Sequence, residues 1–149
     1  MKSMTLVLIF FVSISISISA QENIRTERKF GFGIQAGGPT LVASFELDYF
    51  LTRNINVEAG IGIIGFYGGS KWYFSAKNKS SFWAPYLGAF IMALPDDILG
   101  GDWKPGGYFP LGIQYISKRG LTLAAEAAGF YHITAQTPVF GALKIGYHF

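Results

Sequence analysis

The chain has 149 residues, half of them apolar, with a formal net charge of +3 and no cysteine. The missing cysteines exclude disulfides, thiolate metal sites and cysteine nucleophiles, and the small, scattered charge argues against nucleic acid as a partner. The 19 glycines and 14 phenylalanines favour strands and tight turns over helices.

The first 20 residues have the features of a secretory signal peptide. Lys2 gives a charged start, residues 5–12 are apolar, and Ala20 stands at a suitable cleavage position. The apolar stretch is too short for a membrane-spanning helix. We therefore expect residues 1–20 to be removed on export, and residues 21–149 to form one domain.

Apolar and polar residues alternate along the mature chain, as in strands with one apolar and one polar face. In residues 139–149 the odd positions are almost all apolar, while Lys144, Gly146 and His148 occupy even ones. Each alternating stretch is about the nine to eleven residues that a tilted strand needs to cross a bilayer. The predicted strands cover residues 28–37, 41–51, 54–66, 70–78, 82–94, 107–117, 120–132 and 138–149.

Turn-forming residues separate these strands, at 37–39, 52–54, 67–70, 77–80 and 118–120. Pro85 and Pro110 fall inside two strands, where a missing ladder donor predicts bulges or strand ends. Placing both termini in the periplasm puts the short basic turns on that side and the longest connection, residues 95–106, outside. The pattern predicts an all-β fold, an eight-stranded antiparallel up-and-down transmembrane β-barrel.

Alternation alone leaves open which face points outward, because a soluble lipocalin-like barrel is polar outside. Bulky aromatics near strand ends, glycines on the polar face and a charged fraction of only 14% favour lipid outside. The aromatics predict two interfacial girdles. The periplasmic girdle is Tyr49, Trp83, Tyr115, Tyr147 and Phe149, and the outer one is Trp72, Phe109 and Tyr131.

The polar face then lines a narrow lumen, where charges are costly unless they are paired. Pairing of adjacent strands predicts contacts of Lys29 with Asp48, Glu58 with Lys77, and Glu126 with Lys144, and it sets Asp48 opposite Glu58. We interpret the set as an ion-pair network that closes the lumen, with a narrow polar pore as the alternative. Its members are Lys29, Glu46, Asp48, Glu58, Lys71, Lys77, Glu126 and Lys144, and Gln35, Asn56, Tyr73, Gln114, Thr122 and His148 share the inward face.

Candidates for catalysis and metal binding are few. His132 and Thr134, with Glu126 on the same strand, are the nearest approach to a hydrolase triad, and we interpret His132 as a loop residue. The acids of the long loop, Asp96, Asp97 and Asp102, do not have the spacing of a known calcium loop. No paired histidines have metal spacing, so neither a cofactor nor a metal is predicted. Trp103 is the exposed aromatic that could contact a ligand or a neighbour.

The chain resembles the small outer-membrane β-barrel proteins of Bacteroidota-type bacteria. The resemblance lies in residues 51–62 (LTRNINVEAGIG), 108–115 (YFPLGIQY) and 141–149 (GALKIGYHF). It implies export in a Gram-negative cell, assembly by the barrel-insertion machinery through a terminal signal such as Tyr147-His148-Phe149, and residence in outer-membrane lipid. It implies no catalytic residue. The lipid A deacylase family shares the architecture, but its His-x-Ser pattern would have to be matched by His132-Ile133-Thr134.

These observations predict a non-enzymatic envelope protein with a mostly closed lumen. A single chain of eight strands can close on itself, so we expect a monomer. The alternatives are a narrow channel for ions or small solutes, a lipid A-modifying hydrolase, and a soluble lipocalin-like binder.

Overall fold

Eight antiparallel strands pair in chain order, and the last pairs with the first, so that the sheet closes into a barrel. The computed structural model describes residues 24–74, 82–96, 101–131 and 139–149; the predicted signal peptide, Lys77, Asp97, His132 and Thr134 lie outside these ranges. The strands are β1 Phe30–Gly37, β2 Ala43–Phe50, β3 Ile55–Gly62, β4 Gly65–Tyr73, β5 Trp83–Pro95, β6 Trp103–Ile116, β7 Leu121–Tyr131 and β8 Val139–His148. The predicted eight-stranded up-and-down barrel is confirmed.

A short helix, α1 (Ile24–Glu27), precedes β1, and a 3-10 turn (Gly38–Thr40) joins β1 to β2. We call the end of the barrel that carries α1 and the end of β8 the terminal end, and the opposite end the loop end. No helix among the described residues is long and apolar enough to cross a membrane.

Side chains alternate between the lumen and the outer wall along each strand. On β2, Phe45 and Leu47 are 47% and 45% exposed, whereas Glu46 and Asp48 between them are buried. The other strands repeat this pattern, so the outer wall is apolar and the interior contains most of the charged groups of the strands. This is the reverse of a water-soluble protein.

The glycine-rich stretch predicted as a turn at residues 67–70 lies inside β4, and this prediction is wrong. The turn between β3 and β4 is instead at residues 63–64, and β4 begins at Gly65, which has a φ of 121°. Glycine at 69 meets a packing need instead, because a Cβ there would collide with the Ala89 carbonyl on β5. The shift moves Trp72 to the terminal end, opposite Ile55 and Leu87, so its predicted place in the outer girdle is wrong.

Pro85 and Pro110 neither end their strands nor introduce a bulge, contrary to the prediction. Pro85 pairs with Ile113, and the β5–β6 register is the same on both sides of Pro110. Glycine at 88 makes room for the Pro110 ring, since a Cβ there would lie 2.8 Å from Pro110 Cγ. The two strands extend to Pro95 and Trp103. The connection predicted over residues 95–106 is therefore shorter than expected.

The interior has three layers. The loop-end cluster packs Leu41 and Phe140 against Tyr67, Phe90, Met92, Leu94, Tyr108, Ala128 and Phe130. The terminal-end cluster packs Ile24 of α1 against Phe50, Tyr73, Ala84, Tyr86, Ile116 and Ala124. Between them lies a layer of charged and polar groups, so apolar side chains close the lumen above and below its charges.

Candidate functional site

Lys144 of β8 is the centre of the charged layer. Its Nζ lies 2.9 Å from Asp48 Oδ2 and 3.2 Å from Glu58 Oε2, and it also contacts the carboxylate of Glu46. These four side chains are at most 2% exposed. One ammonium group therefore joins carboxylates from β2 and β3 to β8 across the interior, and in a medium that screens little its interactions with them are strong.

Lys71 of β4 is the second buried cation of the layer. Its Nζ lies 2.8 Å from Glu58 Oε2 and 3.8 Å from Glu126 Oε2. The ammonium also lies 5.0 Å from the ring centre of Tyr86 and 5.6 Å from that of Phe90, within the range of cation–π attraction. Because Glu58 contacts both lysines, the two halves of the network are connected.

Asp48 also contacts the polar residues of the network that lie nearest the terminal end. His148 Nε2 lies 2.7 Å from Asp48 Oδ1, and His148 Nδ1 lies 2.7 Å from Thr122 Oγ1. Asn56 donates from Nδ2 to the same carboxylate at 2.8 Å. The imidazole is fully buried between these partners, so an aspartate, a histidine and a hydroxyl are aligned here without access for a substrate.

Tyrosine hydroxyls donate further hydrogen bonds to the buried carboxylates. Tyr108 donates to Glu126 Oε1 at 2.7 Å, and Tyr86 donates to the other oxygen of the same carboxylate. Tyr67 donates to Glu46 Oε2 at 2.9 Å. The sequence prediction missed these three tyrosines, although each stands at an inward position of its strand. Gln35, which it did place inward, donates to Glu126 Oε1 at 2.6 Å.

The ion pairs differ from the predicted ones. Lys29 is exposed and stands one residue before β1, so its predicted place in the lumen and its pair with Asp48 are wrong. Glu126 forms its ion pair with Lys71 rather than with Lys144. The predicted pair of Glu58 with Lys77 lies outside the described residues. Asp48 and Glu58 do stand opposite each other on β2 and β3, as expected.

Arg25 of α1 is inserted into the terminal end of the lumen. It is 2% exposed, and its guanidinium carbon lies 5.1 Å from the ring centre of Tyr73. Arg28 donates to the backbone carbonyls of Lys118 and His148, at 3.1 Å and 3.2 Å, which attaches this segment to the barrel. Burial lowers the pKa of Arg25 from its ordinary value, and arginine still remains charged.

Three carboxylates of the layer, from Glu46, Asp48 and Glu58, lie close enough together to hold a metal ion. The ammonium of Lys144 contacts all three. Their negative charge is therefore met by a lysine of the same chain.

The residues predicted as girdles all lie on the outer wall, and each is at least 41% exposed except for the intermediate Tyr115 and Tyr147. Near the terminal end stand Tyr49, Trp72, Trp83, Tyr115, Tyr147 and Phe149, and toward the loop end stand Phe109 and Tyr131. Trp103, predicted as an exposed loop aromatic, is the first residue of β6, and its ring centre lies 5.5 Å from that of Phe66, with the two rings tilted.

Of the remaining candidates for chemistry, the structure describes Glu126, Asp96 and Asp102. Glu126 points into the lumen with its side chain 3% exposed, and His132 and Thr134 lie outside the described residues. Asp96 and Asp102 lie 3.8 Å and 3.9 Å from Lys104 Nζ.

No protein-family model matches the chain, and no curated protein gives a significant match. The chain is similar to a solved structure, the N-terminal β-barrel domain of OprF from Pseudomonas aeruginosa. The TM-score is 0.56 at 14% sequence identity, over 80% of this chain and 96% of the other. At this identity the likeness shows the fold, an eight-stranded closed barrel, and the resemblance to the Bacteroidota-type group stays a prediction.

Proposed function

We propose that the protein is an integral outer-membrane β-barrel with a closed, ion-paired lumen and a structural role in the envelope. The observation that carries the proposal is the inverted distribution of side chains. Large apolar residues are exposed all around the closed wall, and thirteen polar or charged residues of the described ranges are buried inside it. A wall of this kind is stable in hydrocarbon, where every backbone group of a closed barrel is already paired.

The three layers of the interior support a structural rather than a transporting role. A solute entering from the loop end would meet Leu94, Phe130 and Leu41 of the loop-end cluster. From the terminal end it would meet Arg25 and Phe50, which are buried there. A packed interior of this kind adds stability to a small barrel, and among the described residues it opposes the passage of water.

Two of the alternatives fit these observations less well. A lipocalin-like binder needs an apolar cavity and a polar exterior, the opposite of this arrangement. A lipid A-modifying hydrolase needs an acid near the wall, whereas the Glu126 carboxylate is held in the lumen by Tyr86 and Tyr108. We propose a non-enzymatic monomer that reaches the membrane through the barrel-insertion machinery.

A narrow channel is the second candidate, because the middle layer is charged and its pairs could exchange. Planar-bilayer recording separates the two functions. The closed barrel gives no ion current in the wild type or in the Glu126→Ala variant. A current that appears in the wild type, or that rises strongly in the variant, would favour the channel.

Heat-modifiable migration tests the membrane proposal itself. The mature chain is refolded in detergent micelles and run on a denaturing gel with and without boiling. A faster unboiled band is expected, because a closed barrel resists detergent unfolding and stays compact. Failure to fold in detergent, together with good solubility in plain buffer, would overturn the proposal.

A further inference from the structure

The charges outside the lumen are distributed unevenly between the two ends of the barrel. At the terminal end the described residues include five cations, Arg28, Lys29, Arg53, Lys118 and Arg119, which we call the basic arc. One acid, Glu27, accompanies them.

The loop end has the opposite sign among the described residues. Lys104 is the cation there, and it lies between the carboxylates of Asp96 and Asp102. The barrel is therefore basic at one end and slightly acidic at the other.

The basic arc is a continuous part of the rim rather than a scatter of charges. Arg28 donates to the Lys118 carbonyl at 3.1 Å, so the N-terminal segment lies against the β6–β7 turn. The Lys29 carbonyl accepts from the Phe50 amide at 2.8 Å, which brings Lys29 to the end of β2, three residues before Arg53. The arc thus runs from the β6–β7 turn, past the end of β8 and the start of β1, to the β2–β3 turn.

A patch of aromatic rings, exposed except for the intermediate Tyr147, borders the arc on the outer wall. The ring centres of Phe30 and Phe149 are 6.2 Å apart, those of Phe32 and Phe149 5.8 Å, and those of Tyr147 and Phe149 5.2 Å. Aromatic rings in this position settle at the boundary between hydrocarbon and headgroups. The basic side chains beyond them would then lie at the level of the phosphates.

We infer that the terminal end is a binding surface for the headgroups of anionic phospholipids, with the basic arc as its charged part and the aromatic patch as its apolar part. The inference rests on the proposed membrane function and goes beyond it, because a neutral bilayer would satisfy the apolar wall equally well. Each lysine or arginine near an anionic surface adds to the attraction, which falls within a Debye length. With five cations and one acid among its described residues, this surface attracts anionic headgroups more strongly than neutral ones.

Tryptophan quenching by brominated lipids tests the inference, because Trp72 and Trp83 lie near the terminal end. The Trp103→Phe variant, which keeps these two reporters, is inserted into vesicles of phosphatidylcholine with a fraction of either brominated phosphatidylglycerol or brominated phosphatidylcholine. We expect phosphatidylglycerol to be enriched at least about threefold at the wall near the reporters in low salt, and the enrichment to vanish in about 1 M salt.

Charge-removing variants assign the enrichment to the arc. Lys29→Gln, Lys118→Gln and Arg119→Gln together should bring the ratio close to one, whereas Lys104→Gln, the matched removal of a cation at the loop end, should leave it unchanged. The wild-type salt dependence stands as an independent test if the triple variant folds poorly.

The outcomes distinguish the inference from the proposed function. Equal quenching by both lipids around a folded, heat-modifiable barrel would overturn the inference and leave the membrane proposal intact. Enrichment that persists in the triple variant would also overturn it. A chain that inserts into neither kind of vesicle would overturn the membrane proposal itself.

Discussion

Replacing Lys144 with methionine removes the cation on which three buried carboxylates converge. The side chain is 2% exposed, and its Nζ contacts Glu46, Asp48 and Glu58. Methionine fills a similar volume, so the change removes charge rather than packing. Breaking a buried ion pair from one side costs about 3–5 kcal/mol, since the other charge stays buried without compensation.

Here the expected loss is near the lower limit of that range, about 3 kcal/mol. Glu58 keeps Lys71 at 2.8 Å, and Asp48 keeps His148 at 2.7 Å. Glu46 keeps the Tyr67 hydroxyl at 2.9 Å but no comparably close cation. Adding Glu46→Gln to Lys144→Met should therefore recover part of the loss, because it removes the carboxylate left with least compensation.

Reversible urea unfolding of the refolded barrel in vesicles, followed by tryptophan emission, measures these free energies of unfolding. The matched control is Lys104→Met, which removes a half-exposed lysine 3.8 Å from Asp96 and should cost at most about 1 kcal/mol. If Lys144→Met cost no more than that control, or if Glu46→Gln made the variant still less stable, the network would not be the stabilising element described above.

Two further substitutions test the packing and the hydrogen bonds of the lumen. Gly31→Ala should lower the free energy of unfolding by about 1–3 kcal/mol, because the new Cβ would lie 2.5 Å from His148 Nε2; Gly129→Ala, which meets no atom within 4 Å, should be nearly neutral in the same urea titration, and equal effects would refute the packing argument. Tyr86→Phe removes a donor to the buried Glu126 carboxylate and should cost about 1.5–3 kcal/mol, measured as a lower temperature for the loss of the fast unboiled band; an unchanged temperature would show that the hydroxyl is dispensable.

The fold was predictable because the period of two is local and strong. Every strand has one set of side chains that points inward and one that points outward. In a closed barrel, this alternation is enough to predict which side chains line the lumen and which face outward. The alternation placed Glu46, Asp48 and Lys144 on the inward face, where the structure has them buried. The signal weakened at strand ends, which explains why Lys29, one residue before β1, was misplaced.

Partners within the lumen were not predictable from neighbouring strands. Lys144 on β8 contacts Asp48 on β2, although β1 lies between these strands. A small barrel brings side chains together across its interior as well as along its wall, and these distances depend on the stagger of all eight strands. Because the predicted turn at residues 67–70 is wrong, the stagger that the sequence predicts for β3 and β4 is also wrong, and Trp72 is predicted at the wrong end of the barrel.

Arg25 carried no signal at all in the sequence, since it stands before the first strand. Its insertion is a tertiary effect, in which a guanidinium stacks near Tyr73 at the terminal end. The buried tyrosines are predictable from the sequence, because they stand at inward positions of the alternating pattern. Tyr108 is an even number of residues from Gln114, which the alternation also predicts to point inward on β6, and Tyr86 has the same relation to the inward positions of β5.

The most direct test of the account is the accessibility of β7 to oxygen dissolved in the bilayer. The chain has no cysteine, so a single cysteine that carries a nitroxide label can be introduced in place of each of four alanines of β7. Ala125 and Ala127 are exposed, and Ala124 and Ala128 are buried. With the barrel folded in vesicles, the account predicts high oxygen accessibility and low accessibility to a water-soluble nickel chelate at Ala125 and Ala127, and low values of both at Ala124 and Ala128. High chelate accessibility at the first pair, or no alternation along the strand, would contradict it.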